Sequence, residues 1–379
     1  MINQQTARAI LTNLSSGTVS IKYSDYYNVG RQNQLQIIKN EIEDKSGKLR
    51  FINGDYGTGK THFLSTIRNW ALKNGYVPSH VVLSPRGTPL YDLESVYSRI
   101  IKSLIIDDNE FSSPIETLLE YVFQEFKNWL SLYIQGEVRR CSKTLMNPLY
   151  CQHCNMKGVI EELYIENFKE IDRKLQIAII IYRYARWGYH PDYETADLVI
   201  RWLEGETLFR RDLNYLGIWE HVTENDILRG LNEIAKLISL LKKQGLIIML
   251  DEAEGIENLT PHQRPIAYEN LKFLIEGINH INNVYFLYAT TPTFYQEIYT
   301  QSDYLSDLVK KTSCTDLIPL SNVELEKLAH NIINIFEIAA EDNFKYDIQN
   351  VKKHINYAYN KKISVRDFIT GLLNILGSL

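Results

Sequence analysis

The chain has 379 residues, 45% of them hydrophobic and 23% charged, and a formal net charge of −5. Those values are those of an ordinary water-soluble globular protein with room for two domains, or for one domain with a large insertion. They argue against a protein that coats nucleic acid by bulk charge, so any basic surface has to be local.

Met1-Ile2-Asn3-Gln4-Gln5 lacks the basic-then-apolar layout of a signal peptide, and apolar runs such as residues 177–181 are too short to cross a bilayer. Four cysteines, two of them in one CxxC, are too few for a disulfide framework and suit a reducing compartment. The expectation is a cytoplasmic protein without a membrane partner.

In chain order, residues 5–20 read as a helix ending at Ser15-Ser16-Gly17, and residues 26–35 as a loop followed by a second helix that runs to about Glu43. Residues 49–53 form a short apolar strand that enters Gly54-Asp55-Tyr56-Gly57-Thr58-Gly59-Lys60-Thr61, followed by His62. Phe63, Leu64, Ile67, Trp70 and Ala71 then recur at helical spacing until Asn74-Gly75. A strand, a glycine turn and a helix start form the setting in which backbone N–H groups cradle phosphates, a lysine reaches the terminal phosphates and a hydroxyl holds Mg²⁺.

Residues 80–83 read as a second strand, buried on both faces, and residues 90–104 as a helix. No convincing strand follows until residue 246. The spacing instead predicts helices over 116–134, 159–171, 175–187, 193–203 and 223–241. Strands return at residues 246–250 and 284–289, with a weaker one at 316–320 because Pro319 lies in it. Beyond Val323 the pattern is helical, with a turn at Asn360-Lys361-Lys362. The chain therefore divides into 1–105 (first half of a phosphate-binding core), 106–240 (helical insertion), 241–320 (second half of the core) and 321–379 (helical lid).

The strand at 246–250 ends in Asp251-Glu252. An aspartate at a strand tip, following a P-loop, supports the metal together with Thr61, and the adjacent glutamate orients and deprotonates the attacking water. Either Thr290 or Thr291, closing the next strand, can bond the terminal phosphate and lytic water, or can serve ordinary turn chemistry ahead of Pro292. Arg366 lies in the first turn of a helix that Ser364 can cap, where a cation gains nothing from the dipole; a phosphate partner, or a salt bridge to Asp367 or to a neighbouring helix, would explain it.

Two other stretches carry chemistry-bearing residues. Cys141, Cys151 and Cys154, with His153, make a candidate Zn²⁺ site, the alternative being free thiols in a loop. Residues 182–189 (YRYARWGY) alternate aromatic and basic side chains as single-strand binders do, but Ile181, Tyr184, Ala185 and Gly188 share a helical face expected to pack inward.

Together these motifs resemble the AAA-type ATPases and, more closely, the single-P-loop ATP-binding proteins of BREX phage-defence systems. The resemblance rests on Val29-Gly30-Arg31, Gly54 to Leu64, Leu83 to Leu90 (LSPRGTPL), Trp202 to Gly205, Gly245 to Glu254 (GLIIMLDEAE) and Thr290-Thr291-Pro292. It implies an α/β, AAA-like P-loop fold with a helical lid, ATP and Mg²⁺ as ligands, and other defence-system proteins as partners. DNA and ATP-dependent self-assembly enter as further partner expectations. By the same resemblance Val29, Gly30 and Arg31 lie against the adenine and Arg366 is the lid's sensor arginine. Between Asp303 and Leu320, where related ATPases often present an arginine finger, this chain has only Lys310 and Lys311, with Arg264 as a substitute. The expected function is ATP hydrolysis driving a conformational change; the alternative is a nucleotide-gated scaffold with negligible turnover.

Overall fold

Strands that are apolar at every position need cover on both faces. The computed structural model describes residues 2–107, 113–137, 169–187, 191–218, 226–340 and 346–377. The chain opens with α1 (Gln4–Ser15), a 3-10 segment (Ile21–Tyr27), α2 (Gln32–Glu43) and β1 (Lys48–Asn53); the glycine turn then leads to α3 (Lys60–Lys73), β2 (Val77–Val82) and α4 (Leu93–Lys102). Next come α5 (Pro114–Glu137), α6 (Arg173–Trp187), α7 (Tyr193–Leu203), α8 (Arg210–Tyr215) and α9 (Ile227–Leu240). The second half of the sheet follows, as β3 (Leu246–Asp251), α10 (Gln263–Ile278), β4 (Val284–Thr290), α11 (Pro292–Gln301), α12 (Asp303–Lys311) and β5 (Ser313–Asp316). Three helices complete the described chain: α13 (Asn322–Ala339), α14 (Ile348–Lys361) and α15 (Val365–Leu376).

Among the described residues the strands form one parallel sheet in the order β2-β3-β4-β1-β5. Successive residues feed opposite faces. Ile247 and Met249 join α2 and α3 in one cluster, while Leu246, Ile248 and Leu250 join the larger cluster built with α4–α12. A third cluster packs α1 against α13, α14 and α15, so the first helix shares its core with the last three.

Two strands lie elsewhere than the sequence suggests. β2 starts at Val77 rather than His80, and as an edge strand it leaves Val82 48% exposed instead of buried on both faces. β5 occupies 313–316, ahead of the expected 316–320, because Pro319 has no N–H to give a ladder. Its place beside β1 is fixed by the Arg50 guanidinium, which donates to Cys314 O (3.0 Å) and Thr315 Oγ1 (2.8 Å) and pairs with Glu41. On α6, Ala185 is buried as expected and Ile181 partly so, beside the buried Ala178, Ile179 and Tyr182, while the side chain of Tyr184, and Gly188, lie outside what is described. Arg186 pairs with Glu116, 3.4 Å away, and lies over the Tyr193 ring. Cys141, Cys151, His153 and Cys154, and the helix expected at 159–171 except its last residues, lie outside the described residues; among those described, no three metal-ligating side chains cluster. No described helix is long and apolar enough to cross a membrane.

Candidate functional site

The carboxyl end of β3 and the turn that follows β1 open onto one crevice, with β4 between these strands in the sheet, the position where parallel α/β sheets bind ligands. Asn53, the last residue of β1, pairs with Thr290 of β4, and Gly54 N–H donates to Thr290 O at 3.1 Å. From there the glycine turn wraps back. Gly57 and Gly59 hold φ of +77° and +95°, backbone that side chains rarely adopt, and a Cβ on Gly54 would lie 2.6 Å from Thr58 Oγ1. The turn closes on Lys60, whose ammonium donates to Gly54 O (2.8 Å) and lies 3.9 Å from the Glu254 carboxylate.

Asp251 ends β3 at 2% exposure, 3.4 Å from His80 Nε2. Burial alone would raise its pKa, but the bonds from His80, the Thr61 hydroxyl and the Glu252 N–H hold it below the usual carboxylate value. An ionised aspartate beside a threonine hydroxyl is a donor pair that suits Mg²⁺. Glu252 takes a left-handed backbone (φ +53°, ψ +35°), which turns it out of the strand to an exposed position on the cavity wall. Glu254 goes the other way. It is 6% exposed, one carboxylate oxygen is without a partner, and burial pushes its pKa up.

A cavity of about 210 Å³ joins Tyr56 to His62 with Asp251, Glu252 and Glu254 at its polar end. Its apolar end is made by Leu14, Tyr27 and Val29 of the N-terminal segment with Leu320, Leu328 and Ile369 of the C-terminal helices. A cavity of about 150 Å³ already admits benzene, so the cavity as a whole has room for a heteroaromatic ring. Val29 and Arg31 line it; Gly30 does not, because it abuts the Glu324 carboxylate. Arg31 is 5% exposed and donates to Ile318 O at 2.7 Å and Thr58 O at 3.4 Å, fastening the glycine turn to the segment leading into α13.

Of the other expected site residues, Gly54, Asp55, Thr290 and Thr291 do not line the cavity; Asp55 is exposed and the other three are buried. Thr291 caps α11 by accepting from Phe294 N–H, whereas the fully buried Thr290 hydroxyl has no partner. Arg366 reaches the wall, with no ion pair to Asp367, whose carboxylate instead accepts from Ser364 Oγ. Arg264 donates to Glu257 O at 2.8 Å, committed to its own loop. His80 and the role of Glu254 escaped the sequence reading. The one signal for Glu254 was its position three residues after Asp251; β2 register, which brings His80 to Asp251, left no local mark.

A parallel sheet with a glycine turn and an acidic strand tip converging on one crevice is consistent with the P-loop-like class of α/β proteins. Within it, the chain belongs to the family of BREX system ATP-binding proteins BrxC/D, whose model it matches over residues 2–379. Membership suggests ATP binding in a phage-defence system and implies that system's other proteins as partners. No curated protein matches the chain.

Proposed function

We propose that the chain binds Mg-ATP between its sheet and its C-terminal helices and hydrolyses it, using the exchange of ATP for ADP to move those helices. The observation that carries this is the meeting, in one cavity, of a glycine turn with its lysine, an ionised aspartate beside a threonine hydroxyl, and an outward-turned glutamate. In this reading the base lies against Val29, Tyr27 and Ile369, and the phosphates lie along Gly57 to Thr61. Thr61 and Asp251 hold Mg²⁺, which neutralises phosphate charge when bound. Lys60 faces the terminal phosphate, Glu252 accepts the proton of the attacking water, and Arg366 reports phosphate occupancy to α15.

The proposed domain division follows the same logic: residues 1–105 and 241–320 supply the site, 106–240 is the insertion and 321–379 the lid, with α1 packed on the lid. DNA and ATP-dependent self-assembly belong to the proposal as partners, and zinc would sit on Cys141, Cys151 and Cys154. Lys60→Ala is expected to abolish nucleotide binding, measured calorimetrically. Glu252→Gln should keep binding while phosphate release falls by two orders of magnitude or more. Equal release by wild type and Glu252→Gln would remove Glu252 from its role. Background release by wild type under every condition would favour the nucleotide-gated scaffold, the reading that the inward-tied Arg264 supports.

A further inference from the structure

In a chain with more acidic than basic residues, positions 348–366 hold Lys352, Lys353, Lys361, Lys362 and Arg366 and no aspartate or glutamate. All five are exposed. Several lysines elsewhere meet carboxylates, as Lys73 meets Asp25, Lys102 meets Glu206 and Lys236 meets Glu233, although isolated ones such as Lys45 and Lys311 do not among the described residues. The four on α14 and its end have no ion-pair partner among the described residues. Val351, Ile355 and Ala358 bury the inner face of α14, which leaves Lys353, Tyr357 and Lys361 as one outward ridge at i, i+4 and i+8. Tyr357 is 56% exposed and its ring stacks on no other among the described residues.

We propose that this ridge binds single-stranded nucleic acid. Two unneutralised ammonium groups about 12 Å apart along the helix follow a phosphate backbone. The tyrosine between them offers an aromatic face to an unpaired base, which a duplex keeps stacked. An anionic lipid surface fits less well, since the outward face is Lys, Asn and Tyr and has no continuous apolar stripe to insert. The site is separate from the nucleotide cavity and does not depend on its reading.

The test is fluorescence anisotropy of the full chain with a labelled oligothymidylate at low salt and without added nucleotide. Lys353→Glu with Lys361→Glu should weaken binding at least tenfold and lower the slope of log K against log salt by about 1.4. Tyr357→Ala should weaken it roughly tenfold. Lys310→Glu with Lys311→Glu, the same charge change on α12, should weaken it far less, with the melting temperature of each variant reporting its fold. The proposal is overturned if wild type does not bind the oligonucleotide or if the α12 pair weakens it equally. It is also overturned if a duplex or an anionic phosphatidylserine vesicle binds as tightly, with Tyr357→Ala without effect.

Discussion

His62 follows Thr61, packs against Tyr27 with the rings tilted and their centroids 4.6 Å apart, and has neither ring nitrogen hydrogen-bonded. Burial pushes its imidazole down to about 4. An unfolded histidine titrates near 6.5, so between about pH 6.5 and 4 the unfolded chain takes up a proton that the folded chain refuses, and stability falls with pH across that window. Asp251, with its depressed pKa, adds a loss only below the ordinary carboxylate range, and Glu254 opposes both because its raised pKa lets the folded state protonate first. His62→Leu is therefore expected to flatten the fall in melting temperature between pH 6.5 and 4; an unchanged profile would contradict the neutral, unpartnered imidazole. Thr290 separates structure from chemistry in another way. Its buried hydroxyl bonds nothing, so Thr290→Val, which keeps the branched shape in β4, should alter stability by less than about 1 kcal/mol. If the hydroxyl meets phosphate or lytic water, the same variant loses phosphate release by tenfold or more; unchanged release would leave Thr290 a packing residue.

Among the elements, the start of α15 bears most directly on the glycine turn. Val365 N–H donates to Gly57 O at 3.0 Å, and a Cβ on Gly57 would lie 2.6 Å from Ser364 Cβ. Gly57→Ala thus meets two costs: a left-handed backbone worth about 1–2 kcal/mol, and a clash that pushes α15 from the turn. Its nucleotide affinity should fall at least tenfold. Adding Ser364→Gly removes the clash but not the backbone cost, and a helix cap tolerates glycine for a few tenths of a kcal/mol, so partial recovery is expected. No recovery would mean that the α15 contact is incidental. This contact also shows where the sequence stopped being legible. β1, β3 and β4 were readable because central strands need apolar residues on both faces, and the turn because glycine is demanded at positive φ. β2 and β5 were misplaced by about three residues because edge strands are fixed by partners, here Leu246 opposite Val77 and the Arg50 bonds to Cys314 and Thr315, none of which has a local pattern. Leu14, Tyr27 and Leu328 of the cavity wall were invisible for the same reason: distant segments meet there.

At the scale of the molecule, the described residues form a covered sheet and a helical cluster that includes α1, and the cavity lies where they meet. A ligand there touches both, so its binding energy is spent partly on holding one against the other. Ligand at a hundred times its Kd stabilises the bound arrangement by about 2.7 kcal/mol, and only an arrangement that closes the cavity gains it. ATP should therefore slow amide exchange in α1 and α15 as well as in α3, although α1 lies far from the glycine turn in sequence. ADP, lacking the terminal phosphate that Lys60 and Arg366 would meet, should protect α3 and the apolar wall but α15 less. Hydrogen-exchange mass spectrometry of the full chain separates these outcomes. Protection confined to α3 with either nucleotide would mean that the sheet binds alone and the helices do not follow. Protection of α15 that depends on the third phosphate would make the Val365–Gly57 contact the point at which hydrolysis is felt by α14. Linkage then requires that any change ATP makes in the affinity of the α14 ridge be matched by an equal change in ATP affinity when the ridge is occupied.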